Sequence, residues 1–90
     1  MEFEWDPKKS KENKKKHGVS FDEATQIWEG IRIDVPNIAY SKSGENRSAT
    51  IGLVGGAIYT AIWTKRNKCI RMICVRRARK DEKEAFIEKI

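Results

Sequence analysis

Residues 47–77 read RSATIGLVGGAIYTAIWTKRNKCIRMICVRR, and this stretch decides the fold. Ala49, Ile51 and Leu53 alternate with Ser48, Thr50 and Gly52, the period-two pattern of a half-buried strand. Gly55-Gly56 is a hairpin signal, because glycine supplies the positive φ that tight hairpin turns need. Ala57–Thr64 forms the next strand and Lys65–Lys68 a polar turn. Cys69–Val75 is apolar at nearly every position, which predicts a central strand with both faces covered. Upstream, Ile31, Ile33 and Val35 alternate with Arg32 and Asp34 until Pro36-Asn37 breaks the pattern, and a polar loop from Ser41 to Asn46 follows. The expectation is a four-stranded antiparallel sheet.

Helices flank it. Asp6-Pro7 places a capping acceptor before a proline at the first helical position. The helix then runs to about His17 and stops at Gly18, a natural left-handed cap. It carries no large apolar residue, so it docks through lysine stems or is poised to meet a partner. Ser20 and Glu23 have capping-box spacing, and Phe21, Ala24, Ile27 and Trp28 form a buried stripe ending at Gly30. Ala85, Phe86 and Ile90 predict a terminal amphipathic helix. Phe3 and Trp5, alternating with acids, allow a short extra N-terminal strand. The fold class expected is α+β: the antiparallel sheet, two N-terminal helices and a C-terminal helix, with helices on one face and the opposite face open.

With 90 residues, the chain 1–90 is expected to be one domain with one core. No apolar run approaches the roughly 18–20 residues of a membrane span, and the N-terminus lacks signal-peptide character, so a cytoplasmic protein is expected. Cys69 and Cys74, about 16 Å apart along one strand and on opposite faces, are too distant for a disulfide. With a single histidine, a zinc site has too few ligands, and no cofactor is expected.

The net charge of +6 is concentrated. Residues 8–16 hold six lysines against Glu12 alone, and residues 65–80 hold eight basic residues and no acid. Two basic blocks around a mildly acidic middle point to an anionic partner, nucleic acid or an acidic protein.

If the anionic partner is nucleic acid, the residues to single out are those that can bind phosphate or move a proton. His17 is the residue type that titrates near neutrality, and a helix C-terminus favours a cation there, which suits a general acid; the plainer reading is a helix cap. Arg66, Arg71, Arg76 and Arg77 are phosphate-binding candidates, since the guanidinium fork contacts phosphate bidentately. Strand parity sends adjacent Arg76 and Arg77 to opposite faces, so one of the two serves a given groove. Glu45 is a candidate general base, or a surface partner of Arg47. Lys14, Lys16, Arg47 and Lys65 are further RNA contacts. Tyr59 and Trp63, four apart on one strand, are placed either to stack an unpaired base or to fill the core.

The order and spacing of several segments resemble the BrnT toxin family. The opening matches through Phe3-Glu4-Trp5-Asp6-Pro7, Asn13, Lys16-His17-Gly18-Val19-Ser20-Phe21 and Glu23-Ala24. The second half matches through Glu45 and Arg47, Ile51-Gly52, Thr64 with Arg66, and Ile70-Arg71 leading to Arg76-Arg77-Ala78 and Glu82. The chain departs in having Asn46 between Glu45 and Arg47, Cys74-Val75 before the paired arginines, and Phe86 where a tyrosine is usual. The resemblance implies a RelE-like fold, cleavage of RNA, and neutralisation by a BrnA-like antitoxin in a hetero-oligomer. Metal-free cleavage of RNA would need proton transfer at the 2′-hydroxyl and the 5′-oxygen and stabilisation of a phosphorane, which tips His17 towards catalysis. A non-catalytic nucleic-acid-binding or protein-interaction module is the alternative that charge alone would equally fit.

Overall fold

A computed structural model of the chain describes residues 2–40 and 46–90. In chain order the elements are β1 (Glu2–Glu4), α1 (Pro7–His17), α2 (Phe21–Ala24) with a 3-10 turn over Thr25–Glu29, β2 (Arg32–Tyr40), β3 (Asn46–Val54), β4 (Ala57–Arg66), β5 (Cys69–Arg77) and α3 (Lys80–Lys89). They form a five-stranded mixed sheet of order β1-β5-β4-β3-β2. The expected four-stranded antiparallel sheet is therefore incorrect. β1 pairs parallel with β5, in register Glu2 to Cys69 and Glu4 to Arg71. β5 is an interior strand as expected, paired on both sides by β1 and β4, and β4 is the middle strand of the five.

The turns and caps have local causes. Gly55 and Gly56 both have positive φ (57° and 84°), the geometry that a two-residue hairpin between β3 and β4 requires. Asp6 accepts a hydrogen bond from Lys8 N at 2.9 Å, and Gly18 in the left-handed region donates its N–H to Lys14 O at 2.9 Å. Ser20 and Glu23 close a capping box that starts α2. That helix lasts one turn before tightening into the 3-10 segment, which sets Ile27 over Gly52. A Cβ at Gly52 would sit 2.8 Å from the Ile27 side chain.

The sheet is covered on both faces. On the inner face, α1, α2 and the 3-10 turn bury Val19, Phe21, Ala24 and Ile27 against Tyr59, Ala61, Met72 and Val75. Against expectation, α3 packs on the outer face, where Phe86 and Ala78 meet Ile51. Each large aromatic side chain removes about 150–250 Å² from water, so Phe21 and Phe86, both about 1% exposed, anchor their layers.

The polar helix α1 docks by hydrogen bonds rather than lysine stems. Asn13 lies buried at the edge of β5, beyond the point where β1 ends. Its side-chain amide donates to Val75 O and to Val19 O, each at 2.8 Å, and its oxygen accepts Val75 N–H at 3.1 Å. The side chain thereby replaces the missing neighbouring strand at that residue. Ser10 Oγ, one turn earlier, accepts Phe21 N–H at 3.0 Å.

One irregularity redirects β5. Met72 pairs with Trp63 and Cys74 with Ile62, leaving Ile73 as an extra, bulged residue. Ile70 and Met72 thus share the inner face with Val75 and Arg77, while Arg71, Cys74 and Arg76 face outward with Thr64, Ile62 and Thr60. The bulge also returns Cys74 to the same face as Cys69, contrary to simple parity; both are free thiols.

Candidate functional site

The structure separates the arginine pair. Arg76 faces α3 and makes a bidentate pair with Glu82, at 2.7 and 3.0 Å. Glu82 also accepts from Thr60 Oγ1 at 2.9 Å and Arg79 N at 2.7 Å. The Arg76 guanidinium first, then the Arg79 and Thr60 bonds, hold the Glu82 carboxyl at about 2 instead of 4.5. Both side chains of the pair are about one-fifth exposed. Arg77 is exposed on the inner side, its guanidinium carbon 5.4 Å from the centre of the Tyr59 ring. The Tyr59 hydroxyl lies beside Gly18, so Arg77 is one ring removed from the end of α1 that carries His17.

His17 is half-buried at the C-terminus of α1. It lines a depression with Glu12, Lys16 and Cys74, between the helix and the bulged edge of β5. A second depression, at the far end of the strands, gathers Arg47, Thr64, Arg66 and Arg71. The two adjoin at Lys9 and Ile73, which line both, and so follow one another as an open channel along the α1–β5 edge. One wall is lysine-rich helix; the other is the half of the outer sheet face that α3 leaves uncovered. Arg71 is braced by Glu4 at 2.8 Å.

Of the expected RNA contacts, Lys16, Arg47, Arg66 and Arg71 are brought to this channel, with His17 at one end. Lys14 is not; it pairs with Glu23 at 2.8 Å across the α1–α2 corner. Lys65 sits on the inner face opposite Ile70. Tyr59 is 7% exposed and belongs to the core. Trp63 is half-buried and donates its indole N–H to Thr50 Oγ1 at 2.8 Å. Glu45 lies outside the described residues.

A comparison with known families matches residues 5–82 to the family described as a ribonuclease toxin, BrnT, of type II toxin–antitoxin systems. The chain belongs to the BrnT family. It is a ribonuclease toxin, and an antitoxin protein is its partner. No curated individual protein matches it. Among the described residues, no helix is long and apolar enough to cross a membrane.

Two residues of this BrnT chain escaped the reading of the sequence. Glu12 is a carboxylate lining the same depression as His17, and its signal was its isolation among six lysines. Asn13 sets the position of α1, and therefore of His17, on β5. Its signal was the spacing of Ser10, Asn13 and His17, three uncharged side chains on one face of a lysine-rich helix.

Proposed function

We propose that this BrnT toxin is a metal-independent endoribonuclease, a single toxin domain acting on RNA in the cytoplasm, that holds its substrate along the α1–β5 channel. The observation that carries this reading is the continuity of the channel from Arg47, Arg66 and Arg71 to Lys16 and His17. Phosphates lie against the arginines and lysines. At the His17 end, a carboxylate takes the proton of a 2′-hydroxyl; Glu12, which lines the same depression, is the candidate for it. The 2′-oxygen attacks phosphorus, the bond to the 5′-oxygen breaks, and His17 donates the proton the leaving oxygen needs. Arg77 lines neither depression in this structure; leaving the Tyr59 ring, its exposed side chain reaches past Gly18 to stabilise the added negative charge of the phosphorane. Arg76 is assigned a structural role, holding α3 through Glu82. Arg47, Arg66 and Arg71 are fixed cations that can meet phosphate charge directly.

The chemistry of the products tests this route. Purified toxin incubated with a short RNA and excess chelator is expected to leave 2′,3′-cyclic phosphate and 5′-hydroxyl ends. Products ending in 5′-phosphate, or cleavage that appears only when Mg²⁺ is restored, would refute it.

A further inference from the structure

On the inner face, at the same end of the sheet as Arg47 and Arg66, a cavity of about 220 Å³ opens between Trp28, Trp63, Arg32, Asp34 and Ile70. It is smaller than the roughly 300–1,000 Å³ of sites for drug-sized ligands, and so is scaled to one planar ring system. The indoles of Trp28 and Trp63 stand 6.5 Å apart at 69°, giving two flat walls that meet in a corner. Both tryptophans are half-buried.

The polar edge of this cavity is partly satisfied. Arg32 Nη1 donates to Trp28 O at 3.2 Å. Its Nε is buried and has no hydrogen-bond partner among the described residues, standing 3.5 Å from Asp34 Oδ2. Asp34 is held in place from behind: its Oδ1 accepts from Thr50 Oγ1 at 2.8 Å, and Thr50 Oγ1 accepts from the Trp63 indole N–H at 2.8 Å. The Arg32 Nε is closed to solvent behind this ion pair, while the Asp34 carboxylate is exposed at the mouth of the cavity and open to a ligand's donors. Flat aromatic walls with a fixed cation and carboxylate along one edge match the requirements of a nucleobase.

Hydrogen-bond chemistry selects among the bases. A carboxylate is acceptor-only and takes two neighbouring N–H groups at once. The Watson–Crick edge of guanine offers N1–H and the N2 amine side by side, next to the O6 acceptor. Adenine and cytosine have no ring N–H on that edge, and uracil has one donor. We infer that the cavity holds an unpaired guanine of the RNA substrate, with Asp34 accepting from N1 and N2 and the ring against the indoles. Exposed Lys65, opposite Ile70 on the same face, is placed for a flanking phosphate. The assignment rests on the reading of the toxin as an RNA-cleaving enzyme and adds its base specificity.

The test is a titration of the full chain with 5′-GMP, 5′-AMP, 5′-CMP and 5′-UMP, followed by the indole N–H resonances of its three tryptophans. GMP is expected to shift Trp28 and Trp63 saturably, at least tenfold more tightly than the other nucleotides, and to leave Trp5 unmoved. Asp34→Asn should weaken GMP binding at least tenfold, and the cleavage sites of wild type should lie at a fixed offset from guanine. No shift with any nucleotide, or equal shifts with all four, overturns the proposal even if RNA is cleaved. So does movement of the indoles by antitoxin in place of GMP. A GMP-specific shift in a protein that cleaves no RNA upholds the cavity and overturns the endoribonuclease route instead.

Discussion

Replacing Arg76 and Arg77 by alanine, one at a time, should separate stability from activity. Arg76→Ala leaves Glu82 about one-fifth exposed, with Thr60 and the Arg79 amide as its remaining partners. The displacement of the Glu82 carboxyl from 4.5 to about 2 corresponds to about 3 kcal/mol at 1.36 kcal/mol per unit. Arg76 is its largest cause, so about 2 kcal/mol is expected to be lost in Arg76→Ala. For a domain of this size that lowers Tm by about 8–16 °C. Arg77→Ala gives up an exposed contact with Tyr59, worth about 0.5–1 kcal/mol. Its cleavage rate, however, should fall about 10²–10³-fold, the cost of losing a donor to developing charge. Glu82→Gln supplies a second arm. The folded-state value of Glu82 lies below its unfolded value, so its contribution is complete above about pH 4.5 and is lost as the pH falls towards 2. Urea unfolding between pH 6 and 2.5 should show this acid loss in wild type and a flatter profile in Glu82→Gln. Thermal unfolding and RNA cleavage are measured on the same preparations. If Arg76→Ala is as stable as wild type, or Arg77→Ala cleaves at the wild-type rate, the division of roles between the two arginines is wrong.

His17→Ala should lower single-turnover cleavage by about 10²–10⁴ while leaving the urea midpoint nearly unchanged; a fully active variant would reduce His17 to a helix end. Asn13→Ala removes three buried hydrogen bonds and exposes both polar groups of Val75, for a loss of about 3 kcal/mol in urea unfolding. A loss under about 1 kcal/mol would mean that α1 is held by other contacts.

The hairpin of β3 and β4 was legible because two signals coincide there: strict alternation from Ala49 to Leu53, and two glycines that the turn places at positive φ. β1 was only faintly so, since three residues are too few to show a period and parallel pairing with β5 leaves no mark on local sequence. Parity along β5 was misread past Met72. A bulge inserts one residue without any required residue type, so the faces of Ile73 to Arg77 had to come from the pairing itself. Arg76 and Arg77 do face apart, and the choice between them turned on Glu82, whose partner sits on another element. His17 was conspicuous as the single histidine, and its neighbours Glu12 and Cys74 come together only because Asn13 lays α1 along the strand edge.

The order in which the molecule can assemble follows from that clasp. Asn13 and Val75 are 62 residues apart, and β1 finds its partner 67 residues downstream. Contacts of such long separation form late, after the local hairpins that precede them. On a ribosome adding about 5–20 residues per second, the helix bearing His17 emerges early and has no strand to rest against until nearly the whole chain has been made. The two walls of the channel therefore meet only after β5 has been made, so a chain stalled before Cys69 carries α1 without the strand that Asn13 clasps.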